Sequence, residues 1–174
     1  MIKIVSIHQP NYIPWTGYFY KIFLSDIFVF LDDVQYSKNS FINRNRIKSS
    51  QGEQWLTVPV KANRESLILE VLFGDPRWPE KHMKTLDANY KRAPYYDQYR
   101  EDLFIHLNHP HANLAELNIS LIQWICNKLE LGTKLVRSSD LSADGKADDR
   151  LVQIVKEVGG NVYLSGHGGK KYQD

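Results

Sequence analysis

Hydrophobic positions open the chain as a strand, Lys3-Ile4-Val5-Ser6-Ile7, which breaks at once into His8-Gln9-Pro10-Asn11-Tyr12-Ile13-Pro14-Trp15. Trp15, Phe19 and Ile22, with Tyr18 beside them, then recur at helical spacing up to Ser25-Asp26, and Pro14 suits a first helical turn. The continuous apolar run 27–31 has the signature of a strand covered on both faces, and it stops at Asp32-Asp33. If these two strands run parallel, His8 and the two aspartates share one sheet edge.

Segments 41–48 and 54–60 flank the polar stretch 49–53 and predict an antiparallel hairpin. A further strand is expected over 67–73, ended by Gly74-Asp75-Pro76. Helices are expected over 77–90 and 95–107, separated at Ala93-Pro94 because proline cannot continue a helix but can start one. The next helix is framed by Asn113 and Glu116 as a capping box. It carries the stripe Leu114, Leu117, Leu121 and Ile125, with Gly132 placed to terminate it. Strand 134–136, a helix with Leu151, Ile154, Val155 and Val158 on one face, and strand 161–164 complete a second βαβ unit. The expected class is α/β: a mainly parallel, Rossmann-like sheet flanked by helices, with an antiparallel hairpin and a helical insertion at about 77–131.

Length and composition narrow this. The 174 residues, 43% hydrophobic and 24% charged, suit one domain over 1–174. A formal charge of +2 argues against a global field for nucleic acid or membrane, so charge has to be read locally. The single cysteine, Cys126, excludes an internal disulfide framework. No signal-like segment precedes the first strand, and no apolar run approaches the roughly 20 residues needed to cross a bilayer. A soluble protein in a reducing cytoplasm is expected, with no membrane insertion and no nucleic-acid partner.

Open α/β sheets bind ligands at the carboxyl ends of their strands, and that is where the chemistry-bearing residues fall. His8 suits a general base, a donor to a phosphate or a phosphate-orienting group, against the plainer role of satisfying a strand end. Gln9 and Asn11 either contact a ligand or bond the loop backbone. Asp32 and Asp33 suit a cation, a sugar hydroxyl or a proton, against turn and cap roles. In the segment around Asn43, a strand would place Arg44, Arg46 and Lys48 on one face roughly 6.6 Å apart, matching a pyrophosphate or simply a charged edge strand. Asn43, Asn45 and Ile47 would face the other way. Arg137-Ser138 and Ser165-Gly166-His167-Gly168-Gly169-Lys170-Lys171-Tyr172 occupy two further loops after strands, the second able to offer backbone N–H groups to a phosphate. Among the aromatics, Tyr12 and Tyr36 are the candidates for ligand contact. His106, His109 and His111 are read as a helix terminus rather than a metal site, and Cys126 as a packed residue. No metal is assigned, and the cofactor is left unknown.

Read together, the motifs 8–19, Leu31-Asp32-Asp33-Val34-Gln35-Tyr36, Asn43-Arg44-Asn45-Arg46-Ile47-Lys48 and Tyr163-Leu164-Ser165-Gly166 resemble the WbqC-like protein family over nearly the whole chain. The resemblance implies a bacterial cytoplasmic protein of O-antigen (lipopolysaccharide) and other surface-polysaccharide biosynthesis. It further implies glycine or aminoacyl transfer to a sugar; with the basic row and the His8 and Asp32-Asp33 cluster, the expected function is a transferase moving a glycyl, aminoacyl or acyl group onto a nucleotide-activated amino sugar. Relatives are expected to continue past the position of Tyr172 into another strand-forming segment, whereas this chain ends at Asp174. A non-catalytic nucleotide-sugar-binding or scaffold protein is the alternative. A fainter likeness to nucleotidyltransferases lies in His8 and Gly17, without the HxGH spacing. The expected partner is a small anionic, phosphate-containing substrate.

Overall fold

The computed structural model describes residues 1–166, so the expectations placed on 167–172 lie outside the described residues. In chain order the elements are β1 (Ile4–His8), α1 (Thr16–Phe23), β2 (Ile27–Phe30), β3 (Arg44–Ser49), β4 (Gly52–Thr57), β5 (Val60–Lys61) and β6 (Leu72–Phe73). They continue with α2 (Trp78–Tyr90), α3 (Tyr96–Asn108), α4 (Leu114–Lys128), β7 (Lys134–Arg137), α5 (Ala147–Glu157) and β8 (Val162–Tyr163). The described residues group into two compact units, one formed by 1–10, 14–34 and 124–166, the other by 11–13 and 35–123.

The first unit is a four-stranded sheet in the order β7-β2-β1-β8, and all three pairings are parallel. The fully buried run of β2 earns its central place, because parallel strands covered on both faces lose polar alternation. Val5, Ile7, Ile27 and Val29 pack with Ile154 and Val155 of α5. The alternate residues meet α1: the Tyr18 ring lies 5.3 Å from Phe28, and the Ser25 hydroxyl, which donates to Lys21 O at 2.8 Å, accepts from the Ser6 hydroxyl at 2.7 Å. Each face of the sheet therefore has its own helix. That follows from topology, since the step from β1 to β2 runs one way and the step from β7 to β8 returns past both. Right-handed crossovers of opposite direction put their helices on opposite faces. The turn between α5 and β8 needs glycine at 160, where a Cβ would stand 2.2 Å from Val5 Cγ2.

In the second unit β3 and β4 form an antiparallel hairpin, from Arg44 opposite Thr57 to Ser49 opposite Gly52. The polar loop is tighter than its composition indicates: only Ser50 and Gln51 lie between the paired ends, with Gly52 at φ 109°. Residues 41–43 form a turn rather than strand, and Val60 and Lys61 leave β4 to pair with β6. The strand expected over 67–73 reduces to Leu72 and Phe73, after a single 3-10 turn at Ile68–Glu70. Helices α2 and α3 are clipped together by Arg100, which donates Nε and Nη2 to the two Asp87 oxygens at 2.6 and 2.9 Å. That guanidinium holds the Asp87 carboxyl below its ordinary value.

Two cap expectations are modified. Glu116 N–H donates to Asn113 Oδ1 as a capping box requires, but the Glu116 carboxylate returns to Ala112 N–H instead of Asn113 N–H. At the other end of α4 the left-handed residue is Glu130, φ 53°, not Gly132, and Leu131 N–H closes on Cys126 O at 3.0 Å. Cys126 is buried in this helix, and burial pushes its thiol up to about 11, so it packs as an inert side chain.

Candidate functional site

At the carboxyl edge of the first unit, the register aligns His8 with Phe30 and Phe30 with Arg137. In-register residues of parallel strands share a face, so these three form one row. Two strand spacings separate the ends of the row by roughly 10 Å. Phe30, 0% exposed, is its apolar floor.

His8 lies edge-on to Tyr18 at 4.9 Å and to Trp15 at 6.0 Å. Gly17 makes room for the indole, since a Cβ there would be 2.9 Å from Trp15 Nε1. The imidazole Nδ1 is 3.0 Å from Gln9 O and must donate to it, because a carbonyl only accepts. The same carbonyl takes the Tyr18 hydroxyl at 3.0 Å. In the neutral ring Nε2 is then the acceptor, and it has no protein partner among the described residues. Burial, aided by the charge of Lys21, lowers the His8 pKa to about 4, so the ring is neutral near pH 7.

Lys21 is the residue that sequence reading missed. It sits on α1 between the core residues Tyr18 and Ile22, and its Nζ donates to Ile7 O at 2.9 Å. Burial lowers its pKa to about 8. Its signal was a lysine on the buried stripe of an amphipathic helix, a place a solvated charge avoids.

Asp32 is 0% exposed and saturated by donors from the end of β7. Its Oδ2 accepts from Arg137 Nε at 2.7 Å and from Ser139 Oγ at 3.0 Å, while Oδ1 accepts from Ser139 N–H at 3.1 Å. Ser138 Oγ accepts Asp32 N–H at 3.2 Å and gives its one proton to Asp33 Oδ1. The other Asp33 oxygen pairs with Arg150 of α5. The two carboxylates therefore brace the loop after β7 and aim Arg137, whose Nη atoms carry no protein bond among the described residues. Ser165 and Gly166 follow β8 beside β1 and are exposed.

The other sequence candidates belong to the second unit. Tyr12 is fully buried, and its hydroxyl lies 2.8 Å from His82 Nδ1. His82 Nε2 must donate to Thr57 O at 3.1 Å, so Nδ1 accepts and the Tyr12 hydroxyl donates. Burial holds His82 down at about 4 and pushes Tyr12 far above its ordinary value. Asn11 is buried, and the Asn43 amide is spent on Val58 O at 3.1 Å. Asn45 donates to Ile13 O at 2.6 Å, holding a β-branched residue in the left-handed region at φ 41°.

Arg44, Arg46 and Lys48 do share a face of β3, but two of the three are engaged across the hairpin. Arg44 and Arg46 place their guanidinium carbons 4.3 and 5.4 Å from the Trp55 ring, and Arg46 also pairs with Glu53. Tyr36 is 7% exposed, with its hydroxyl buried and unpartnered, as is Arg44 Nε. His111 and His106 turn inward, with His111 Nε2 on His106 O at 2.8 Å and His106 Nδ1 3.1 Å from Ser120 Oγ.

No helix among the described residues is long and apolar enough to cross a membrane. No solved structure matches the chain. A protein of Mycobacterium tuberculosis (strain ATCC 25618 / H37Rv), named only as uncharacterized protein Rv1507c, is 41% identical over 177 residues, covering 99% of this chain and 76% of that relative. The model of the WbqC-like protein family matches residues 9–174, and the chain, with its His8 loop, Asp32-Asp33 brace and basic hairpin, belongs to that family.

Proposed function

We propose that the protein is a bacterial transferase of surface-polysaccharide biosynthesis, moving a glycyl, aminoacyl or acyl group onto the amine of a nucleotide-activated amino sugar. The observation that supports it is the row His8-Phe30-Arg137: a neutral imidazole with an unpartnered Nε2, and an arginine held by a buried carboxylate with its Nη atoms outward. Arg137 binds a phosphate oxygen through that fork. The sugar amine attacks the donor carbonyl, the new N–C bond forms as the bond to the donor's leaving group breaks, and His8 Nε2 accepts the proton released from nitrogen. A phosphate on Arg137 brings negative charge toward the imidazole and raises its pKa from about 4, which strengthens it as an acceptor. Asp32 and Asp33, fully engaged with serine and arginine donors, are positioning residues.

The test is incubation of the purified chain with a panel of nucleotide sugars and acyl or aminoacyl donors, read by mass spectrometry. A mass shift that His8→Gln and Arg137→Met each abolish supports the reading. Turnover unchanged in both variants rules it out. The saturation of Asp32 and Asp33 favours one second reading, a non-catalytic nucleotide-sugar-binding protein of the same pathway, which binding without any product in that panel would support.

A further inference from the structure

The β1–β8 ladder ends one step early, and a lysine takes the position left open. Carbonyls of Lys3 and Val5 point toward β8, accepting from Val162 and Leu164 N–H at 3.3 and 2.8 Å. Ile4 and His8 carbonyls point the other way, accepting from Asp26 and Leu31. By this alternation Ile7 O faces the β8 side, where the next donor in the series is Gly166 N–H. That bond is not formed; Lys21 Nζ occupies the position at 2.9 Å. An ammonium carried by a helix on the sheet face is thereby brought to the edge between β1 and β8.

This edge is the switch point of the sheet, because the connection leaving β1 runs toward β2 while β8 arrives from the opposite direction. Such points form the crevice in which open α/β sheets bind ligands. One Lys21 N–H is taken by Ile7 O, leaving two donors on a half-buried cation whose charge reaches the His8 ring. Burying a charge beside one carbonyl costs more than that single bond returns, and an anion supplies the missing partner.

The geometry points to a phosphate-binding subsite headed by Lys21 at the β1–β8 edge, on the opposite side of His8 from Arg137. It rests on the proposed function for the identity of the site, and it sharpens the substrate class. Cations on both sides of His8 fit a phosphate ester with more than one phosphoryl group, such as a nucleoside diphosphate sugar.

Sodium pyrophosphate titrated into the full chain, followed by calorimetry, tests it with Lys21→Met, Lys21→Arg and Arg137→Met. Expected is at least tenfold weaker binding for Lys21→Met, with Lys21→Arg within about threefold of the parent. A strand-capping lysine would leave pyrophosphate affinity unmoved. Unchanged affinity in Lys21→Met overturns the subsite, while a loss confined to Arg137→Met leaves the proposed function standing. Loss in Lys21→Met alone keeps the subsite and removes Arg137 from the reading. A parent chain that fails to bind millimolar pyrophosphate overturns the subsite as well. Trace acetylation of the unmutated protein is the second measurement: pyrophosphate should slow labelling of Lys21 severalfold, and an unchanged rate refutes the assignment.

Discussion

Replacing Asp32 by asparagine removes one charge from a site that has no access to water. The carboxylate is 0% exposed and accepts three bonds, from Arg137 Nε, Ser139 N–H and Ser139 Oγ, at 2.7 to 3.1 Å. Asparagine keeps the shape but turns one acceptor into a donor, which then faces either the Arg137 or the Ser139 donors. Removing one partner of a buried ion pair costs about 3–5 kcal/mol, and the 31% exposure of the Arg137 side chain places this case near 3 kcal/mol. A chain of this length loses about 2–4 °C of Tm per kcal/mol, so the melt should fall by about 10 °C. Urea unfolding at pH 7 of Asp32→Asn, Arg137→Met and the double variant closes a cycle. The double variant should be more stable than the sum of the singles by about 1–3 kcal/mol. An Asp32→Asn chain within about 0.5 kcal/mol of the parent, or a strictly additive cycle, would refute the brace.

Two further expectations concern stability alone. His82 has its pKa lowered to about 4 by burial, below the 6.5 of an unfolded histidine, so protonation favours unfolding. Its contribution is complete above pH 6.5 and is lost as pH falls toward 4, at about 1.4 kcal/mol per pH and about 3 kcal/mol in all. Urea midpoints measured from pH 7.5 to 4 should show a slope about one proton shallower in His82→Gln, and an identical slope would contradict the buried neutral ring. Gly160→Ala drives a methyl into Val5 Cγ2 and should cost about 1–3 kcal/mol, with partial recovery in Val5→Ala/Gly160→Ala. Equal melting temperatures for the parent and Gly160→Ala would show that the turn after α5 yields freely.

The parallel sheet was legible because β1 and β2 are apolar runs of strand length that end in polar residues, and α4 because its stripe and Asn113 cap agree. Local pattern also located His8 and Arg137 at strand ends. What it could not show was direction and saturation. Tyr12 and Asn43 sit in polar loop sequence yet point inward, because His82 and Val58 O, 70 and 15 positions away, are their partners. Asp32-Asp33 reads as an available pair until Ser138, Ser139, Arg137 and Arg150, more than a hundred residues on, claim every oxygen. Lys21 was hidden for the converse reason. A lysine among core positions looks like an exposed side chain until the premature end of a ladder supplies a carbonyl for it. The shortened strand over 67–73 reflects one turn at Ile68–Glu70 that apolar content alone does not reveal.

Strand β1 is made well before its partner β8, since Ile4 pairs with Val162, 158 positions further along the chain. At synthesis rates of about 5–20 residues per second, β1 and β2 are made roughly 7 to 30 seconds before β8 exists. Residues 35–123, which make up nearly all of the second unit, are continuous and free to fold in that interval. The apolar strand 27–30 meanwhile has unpaired backbone on the side that β7 will cover, the kind of edge that invites aggregation. Early chaperone engagement of the nascent β1–β2 segment, and sensitivity of yield to translation speed, follow from the placement of β8 far from β1 in sequence but next to it in the sheet.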